Sequence, residues 1–179
     1  MENYTFDLMV LPQDKAEIND WQNRYAGTKG WKNIEEYILE NGLIYNLDEL
    51  INTNYEIIPI GDYERKMALS VKNQNKEIVG FVICQEFEIL SPFPELFLQY
   101  VVIRPDMQNK NVGTYIFKNL ANKIEQTTGA RPAYVFSYIH STNLASQKLY
   151  KKFGFEFKSM QNCNSLVRAV GSFEKELEK

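Results

Sequence analysis

The residues whose types and spacing most clearly suggest chemistry form a polar turn, Gln108 to Thr114, between an apolar run and a helical pattern. The start of a helix presents unpaired backbone N–H groups and the positive end of the helix dipole, so it favours an anion. Gly113 would let the backbone approach a phosphate closely, and Lys110 would add a positive charge. From these residues alone, a diphosphate site and an ordinary strand-to-helix connection remain equally compatible.

The segments around this turn predict the elements that must position it. After the turn, Ile116, Leu120 and Ile124 recur at i, i+4 and i+8, which predicts an amphipathic helix that Gly129 ends. A second helix is predicted over residues 141–153. Apolar or alternating runs predict strands at residues 66–71, 77–87, 96–103, 133–139, 155–160 and 165–170. We therefore expect a single α+β domain over residues 1–179, with three α/β/α layers around a mixed central β-sheet.

The first 60 residues carry a mainly helical pattern. One helix is predicted after Trp31, ending at Gly42, and a short one at residues 47–51 with Asn46 as its cap. Aromatic side chains are frequent in this part of the chain. Core packing explains them more economically than ligand binding does.

Composition excludes several classes of function. The chain has 179 residues, a net charge of −3 and a pI near 5.3, so no basic surface indicates a nucleic-acid partner. Two cysteines and one histidine cannot form a Cys/His metal cluster, so we expect no metal. No run approaches the length of a membrane span and the N-terminus does not resemble a signal peptide. We therefore expect a cytoplasmic protein that uses neither membrane nor nucleic acid.

Two motifs resemble those of the GNAT acyltransferase superfamily. The first, Q/R-x-x-G-x-G/A after an apolar strand, matches Gln108–Thr114, which follows Val101–Pro105. The second, N-x-x-A-x-x-x-Y-x-x-x-G-F, matches Asn143–Phe155. Both occur in the family's order with a predicted strand between them. Asn111 replaces the first motif glycine, and the turn can survive this change because asparagine tolerates left-handed backbone angles.

The resemblance implies a GNAT-like acyl-CoA acyltransferase fold and an N-acetyltransferase that moves an acetyl group from acetyl-CoA to a primary amine. It implies an acceptor side in residues 1–60, an acetyl-CoA-binding core in residues 61–160, and a final strand and tail in residues 161–179. The acceptor would be a small molecule or a peptide, and a homodimer is compatible with the family. By similarity, the residues expected to contact acetyl-CoA are Val101, Val102, Ile103, Gln108, Asn109, Lys110, Asn111, Val112, Gly113, Thr114, Asn143 and Tyr150.

The resemblance also implies catalytic roles. The backbone N–H of Val101 would stabilise the oxyanion that develops from the thioester. Tyr150 would be the general acid that protonates the departing thiolate, because a phenol with a pKa of about 10 keeps its proton at neutral pH. Asn143 lies seven residues before Tyr150, on the same stripe of one helix, and would contact the pantetheine arm. Without the motif, Tyr150 would be interpreted as a core aromatic residue and Asn143 as part of a helix's first turn.

The general base is left open by the sequence. Glu86, Glu88 and Glu95 lie near the strands that would line the acceptor cleft, and one of them could act through water. Gln99 occupies the position at which many relatives carry a carboxylate, and an amide cannot be a base. His140 could titrate near neutral pH, although a single histidine at that place is more typical of a loop residue.

Two alternatives to an enzyme stay open at this stage. One is an acyl-CoA-binding sensor or interaction module with a GNAT-like fold and no turnover, which Asn111 and Gln99 keep in consideration. The other is an α+β interaction domain without a CoA site. No cysteine–histidine pair suggests a covalent enzyme intermediate, so direct transfer is the expected route for an enzyme.

Overall fold

A computed structural model describes residues 4–10, 13–36, 58–59, 64–87, 94–160 and 163–172. Its strands are β1 (Thr5–Leu8), β2 (Ile58–Pro59), β3 (Glu64–Lys72), β4 (Ile78–Phe87), β5 (Glu95–Ile103), β6 (Tyr134–His140), β7 (Glu156–Met160) and β8 (Cys163–Gly171). Its helices are α1 (Gln13–Tyr25), α2 (Lys29–Ile34), α3 (Val112–Thr128) and α4 (Leu144–Lys152), and a 3-10 turn spans Pro105–Met107.

The described strands form one mixed sheet. Their order is β1-β3-β4-β5-β6-β8-β7, and the short β2 also pairs with β3. The β5–β6 pair is parallel and the other pairs are antiparallel. A parallel pair needs a crossover between its strands, and α3 provides it. The mixed central sheet predicted from the sequence is confirmed.

Apolar side chains cover both faces of this sheet. One buried cluster joins α3 and α4 to strands β3 to β6, and includes Ile116, Phe117, Leu120 and Tyr150. A second cluster joins α1 and α2 to β3, β4 and the later part of β5. Two clusters on opposite faces make the three-layer α/β/α arrangement that the pattern of elements predicts. Trp21 and Trp31 are each 1% exposed in the second cluster, which confirms a packing role for these aromatic residues.

A β-bulge in β5 changes which side chains face each helical layer. Tyr100 pairs with Ile83 and Leu98 pairs with Cys84, so Gln99 is the extra residue. Before the bulge, Leu96 and Leu98 belong to the α3 and α4 cluster. After it, Tyr100 and Val102 belong to the α1 and α2 cluster. The sequence did not reveal this reversal, because side chains on both faces of β5 are apolar.

The N-terminal part of the chain differs from its mainly helical prediction. Strand β1 was missed: it has only four residues and one buried side chain, Phe6, so it is too short for alternation to identify it. The helix expected after Trp31 instead begins at Lys29, where the Thr28 hydroxyl accepts a hydrogen bond from the Trp31 N–H. The predicted helix end at Gly42 and the predicted helix at residues 47–51 lie outside the described residues.

Polar contacts at the end of β5 fix the turn that leads to α3. The buried guanidinium of Arg104 donates to the Asp106 carboxylate at 2.8 Å and to the Ile78 carbonyl at 3.2 Å. The Gln108 side-chain amide donates to the Gly30 carbonyl at 3.1 Å. The turn is therefore tied both to β4 and to α2 before α3 begins.

Two glycines allow close packing around the start of α3. A Cβ on Gly80 would lie 3.0 Å from the backbone oxygen of Val102, whereas a Cβ on Gly113 would lie 2.8 Å from Leu149 Cδ2, the end of a flexible side chain. A backbone carbonyl in a sheet has less freedom to move than a leucine methyl group. Gly80 is therefore the stricter requirement of the two.

We predict that Gly80→Ala lowers the free energy of unfolding by about 1–3 kcal/mol, the usual cost of overpacking a core. Gly113→Ala should cost less, because Leu149 can shift and because alanine gains about 1 kcal/mol over glycine in a helix. Urea denaturation of both variants and the wild type measures this difference. Equal losses, or a larger loss for Gly113→Ala, would contradict it.

Candidate functional site

Strands β5 and β6 pair along only part of their length. The parallel ladder joins residues 95–97 of β5 to residues 134–136 of β6 and then ends. Beyond it, β5 stays paired with β4 and β6 stays paired with β8, so the two strands open between them. The Arg104 N–H donates to Val79 on β4, and strand alternation therefore turns the N–H of Val101 to the opposite side, which faces β6.

Tyr150 reaches this opening from α4. Its ring packs edge-on against Phe117 at 4.8 Å and Phe155 at 4.9 Å, and the residue is 4% exposed. Its hydroxyl is close enough to Ser137 of β6 for the two side chains to interact. The Ser137 hydroxyl donates to the Leu98 carbonyl of β5 at 2.8 Å, so one side-chain hydrogen bond joins β6 to β5 just where the ladder ends.

The environment of Tyr150 keeps its phenol neutral. Burial raises the pKa of Tyr150 above its ordinary value, and the neighbouring Ser137 hydroxyl opposes this shift to a smaller degree. The hydroxyl therefore holds its proton at and well above neutral pH. The ring of Tyr150 is part of the core, which confirms the core interpretation, and the role of its hydroxyl as the general acid stays a prediction.

The backbone of the turn before α3 adopts the strained angles expected of the motif. Asn109 and Asn111 both have positive φ, 63° and 62°. The expectation that Asn111 tolerates a left-handed conformation in place of glycine is confirmed, since its φ and ψ are 62° and 10°. Asparagine carries this conformation at lower cost than most side chains.

The start of α3 has no side-chain cap. Its first helical bond runs from the Tyr115 N–H to the Asn111 carbonyl, so the N–H groups of residues 112–114 have no partner within the helix. The Asn111 side chain makes no capping bond, whereas Thr28 caps α2 and Asn143 caps α4. Several amides that converge on one point, at the positive end of a 17-residue helix, suit an anion.

Two motif residues have structural partners that the sequence did not predict. The side chain of Gln108 is bonded to the carbonyls of Gly30 and Ile103, so only its backbone is available to a ligand. The space that a Cβ of Gly113 would fill is occupied by Leu149 and Ile103. The glycine therefore lets α3 approach α4 and β5, which corrects the expectation that its missing Cβ makes room for a phosphate.

Lysines lie on both sides of this helix start. Lys110 is exposed in the turn. Lys152, at the end of α4, places its Nζ 3.1 Å from the Thr114 hydroxyl in the first turn of α3. Sequence reasoning missed Lys152 because it occupies a variable position of the second motif. Only the packing of α4 beside α3 brings the Lys152 ammonium to the start of α3.

Asn143 is the N-cap of α4. Its Oδ1 accepts a hydrogen bond from the Ser146 N–H at 3.0 Å. This contact accounts for the residue type without a ligand. Whether Asn143 also contacts acetyl-CoA stays a prediction.

The candidate carboxylate bases occupy different settings. Glu86 is buried, 1% exposed, on β4 two residues from Cys84. Glu95 is partly exposed at the paired end of β5, six residues before Val101. Glu88 lies outside the described residues. The role of each as a base stays a prediction.

The other two polar candidates are Gln99 and His140. Gln99 sits at the bulge, and its Oε1 is buried with no donor among the described residues. The His140 Nδ1 lies 2.7 Å from the Thr142 hydroxyl in the turn before α4. That contact agrees with a loop role for the histidine.

Other catalytic routes find little support in the described residues. Burial raises the pKa of the Cys84 thiol far above its ordinary value, and the nearby Glu86 adds to this shift, so Cys84 is unsuited to be a nucleophile. Across the described ranges, no group of three or more His, Cys, Asp or Glu residues is arranged to hold a metal ion.

None of the described helices is both long enough and apolar enough to span a bilayer.

The sequence matches the model of the acetyltransferase (GNAT) family over residues 53–155. This chain therefore belongs to the GNAT acetyltransferase family. Its class of activity is acetyl-CoA-dependent N-acetyl transfer. No curated protein sequence gave a significant match.

Solved structures with the same fold agree with this assignment. A spermidine N-acetyltransferase from Vibrio cholerae in complex with CoA and spermine has a TM-score of 0.62 and 17% identity, covering 94% of this chain and 95% of the other. PaiA N-acetyltransferase from Thermoplasma acidophilum in complex with coenzyme A has a TM-score of 0.61 and 19% identity, covering 96% of this chain and 99% of the other. The ribosomal-protein-S18-alanine N-acetyltransferase from Escherichia coli has a TM-score of 0.59 and 14% identity, covering 94% of this chain and 91% of the other. At these identities the likeness establishes the fold and not the acceptor.

The two roles of Asn143 can be separated by comparing substitutions. Asn143→Ala should cost about 1 kcal/mol of folding stability through loss of the cap. Asn143→Ser should retain stability, because serine is also a good N-cap. If Asn143 contacts the donor, Asn143→Ser should still weaken CoA binding. Urea denaturation and calorimetric titration with CoA measure the two effects, and unchanged CoA affinity in Asn143→Ser would limit this residue to the cap.

Proposed function

We propose that this enzyme transfers acetyl from acetyl-CoA directly to a primary amine, with the donor lying between the start of α3 and the β5–β6 opening. The observation that carries the proposal is the juxtaposition of three features: the uncapped amides at residues 112–114, the N–H of Val101 at the open edge of β5, and the Tyr150 hydroxyl. The amides lie at the start of α3, which follows β5 in the chain, and the other two groups lie where β5 and β6 part.

The pyrophosphate of the donor would bind the uncapped amides of α3. The surrounding turn, including Asn109 and Lys110, would supply further backbone N–H groups and a positive charge. The pantetheine arm would then extend along residues 101–103 of β5. Amide groups of an extended pantetheine can pair with an unpaired strand edge as another strand would.

The Val101 N–H and Tyr150 would act at the thioester. The amine, after losing a proton, attacks the carbonyl carbon, so a C–N bond forms and the C–S bond breaks. The Val101 N–H donates to the oxygen that becomes negative in the transition state. Tyr150 gives its proton to the leaving thiolate, and the proton released by the new amide returns to the phenolate through solvent.

The acceptor would approach the face of the sheet opposite α3 and α4. On that face Phe97 stacks on Phe136 at 5.1 Å, and Tyr138 packs edge-on beside them while 41% exposed. Arg168 lies over the Phe136 ring at 4.8 Å. These rings favour an acceptor, either a small molecule or a peptide, with an apolar or aromatic group near its amine.

Two measurements test the function. Acetyl-CoA at a hundred times its dissociation constant should stabilise the fold by about 2.7 kcal/mol, seen as a higher melting temperature. Free CoA thiol should be released from acetyl-CoA only when a suitable amine is present, with the product identified by mass. No thermal shift at millimolar acetyl-CoA would refute the donor site. Tight binding without thiol release across a broad amine panel would favour the sensor alternative.

Tyr150→Phe tests the general acid. Removing the hydroxyl should lower kcat by about a hundredfold, the lower range for acid catalysis, and leave the Kd for CoA unchanged. Tyr115→Phe is the matched control: it removes a hydroxyl that donates to the Tyr4 carbonyl, away from the opening. An unchanged kcat in Tyr150→Phe would remove this residue from the acid role.

A further inference from the structure

Lys152 and Lys151 are consecutive residues at the end of α4, yet they have different partners. The Lys152 ammonium crosses to α3 and lies 3.1 Å from the Thr114 hydroxyl. The Lys151 ammonium lies over the Phe157 ring, 5.5 Å from its centre. Both side chains are exposed, so the two lysines differ in the partner that each side chain reaches and not in burial.

Lys152 brings a positive charge to the positive end of α3. It lies beside the first turn of α3, where the helix dipole is positive and where α3 has no acidic side chain. Lys110 adds a second ammonium in the turn that precedes α3. No carboxylate among the described residues forms an ion pair with either lysine. This local excess of positive charge stands out in a chain whose net charge is −3.

We propose that Lys152 is a donor-binding residue that holds the pyrophosphate of acetyl-CoA from the α4 side. This inference rests on the proposed function, which places the pyrophosphate on the amides of residues 112–114. Because Lys152 contacts Thr114, its ammonium lies within reach of an anion bound to those amides. A lysine suits this task, since it is a compact charge on a flexible stem.

The same contact would couple donor binding to the catalytic helix. Tyr150 lies two residues before Lys152 on α4. A diphosphate bridging the α3 amides and Lys152 would draw the end of α4 against α3. The donor's phosphates would thus help to hold the phenol at the opening between β5 and β6. Loss of Lys152 should therefore raise the KM for acetyl-CoA more than it lowers kcat.

The test compares calorimetric Kd values for wild type, Lys152→Gln and Lys151→Gln with three ligands: CoA, dephospho-CoA and pantetheine. Lys152→Gln should weaken CoA binding about twofold to fivefold, as expected for an exposed charge pair, and Lys151→Gln should have little effect. The loss should be the same with dephospho-CoA, which keeps the pyrophosphate. The loss of affinity should vanish with pantetheine, which lacks the pyrophosphate. Lys152→Arg should retain most of the affinity, and the salt dependence of CoA binding should be shallower in Lys152→Gln.

Several outcomes would overturn the inference. They are an unchanged CoA affinity in Lys152→Gln, an equal loss in Lys151→Gln, or a loss that disappears with dephospho-CoA, which would assign Lys152 to the 3′-phosphate. Wild-type protein that binds no CoA would instead refute the proposed function itself. Melting temperatures identify any variant that fails to fold, and in that event Lys152→Ala, measured with the same three ligands, takes the place of Lys152→Gln.

Discussion

The β-bulge at Gln99 is the constraint on which the proposed site depends. In a regular strand, every second residue turns its N–H and carbonyl to the same side. The Leu98 carbonyl faces β6, where Ser137 donates to it, so without an extra residue the N–H of Val101 would face β4 and be lost to the ladder. The bulge shifts this alternation by one residue. It thereby leaves a backbone donor at the open edge and also moves Tyr100 into the opposite core.

The start of α3 depends on packing that needs no ligand. Arg104 and Gln108 tie the preceding turn to β4 and α2, while Gly80 and Gly113 let the helix lie close to the sheet and to α4. The amides at this point are therefore oriented before any anion arrives. Such preorganisation lowers the entropy lost on binding. It also explains why motif residues have structural partners as well as proposed ligand roles.

Much of the fold could be predicted from local pattern, and the site only in part. Strands β3 to β8 and helices α3 and α4 have strong periodic or continuous apolar signals, and the left-handed Asn111 follows from its side-chain chemistry. Lys152 and Ser137 could not be predicted, because their contacts join residues 38 and 39 positions apart in the chain. A buried serine among the inward-facing residues of β6 was a weak signal. No local pattern points to the lysine.

Tyr150 also carries a consequence for how this enzyme can vary. Its ring fills space between Phe117 and Phe155, so under the proposed function position 150 would serve both the hydrophobic core and the reaction. A change of shape there disturbs the core even when a replacement could deliver a proton. A replacement that keeps a flat ring of similar size would preserve this packing. Under the proposed role of Tyr150, an engineered library that moves the acid to another residue type would have to repack α3 and α4 together.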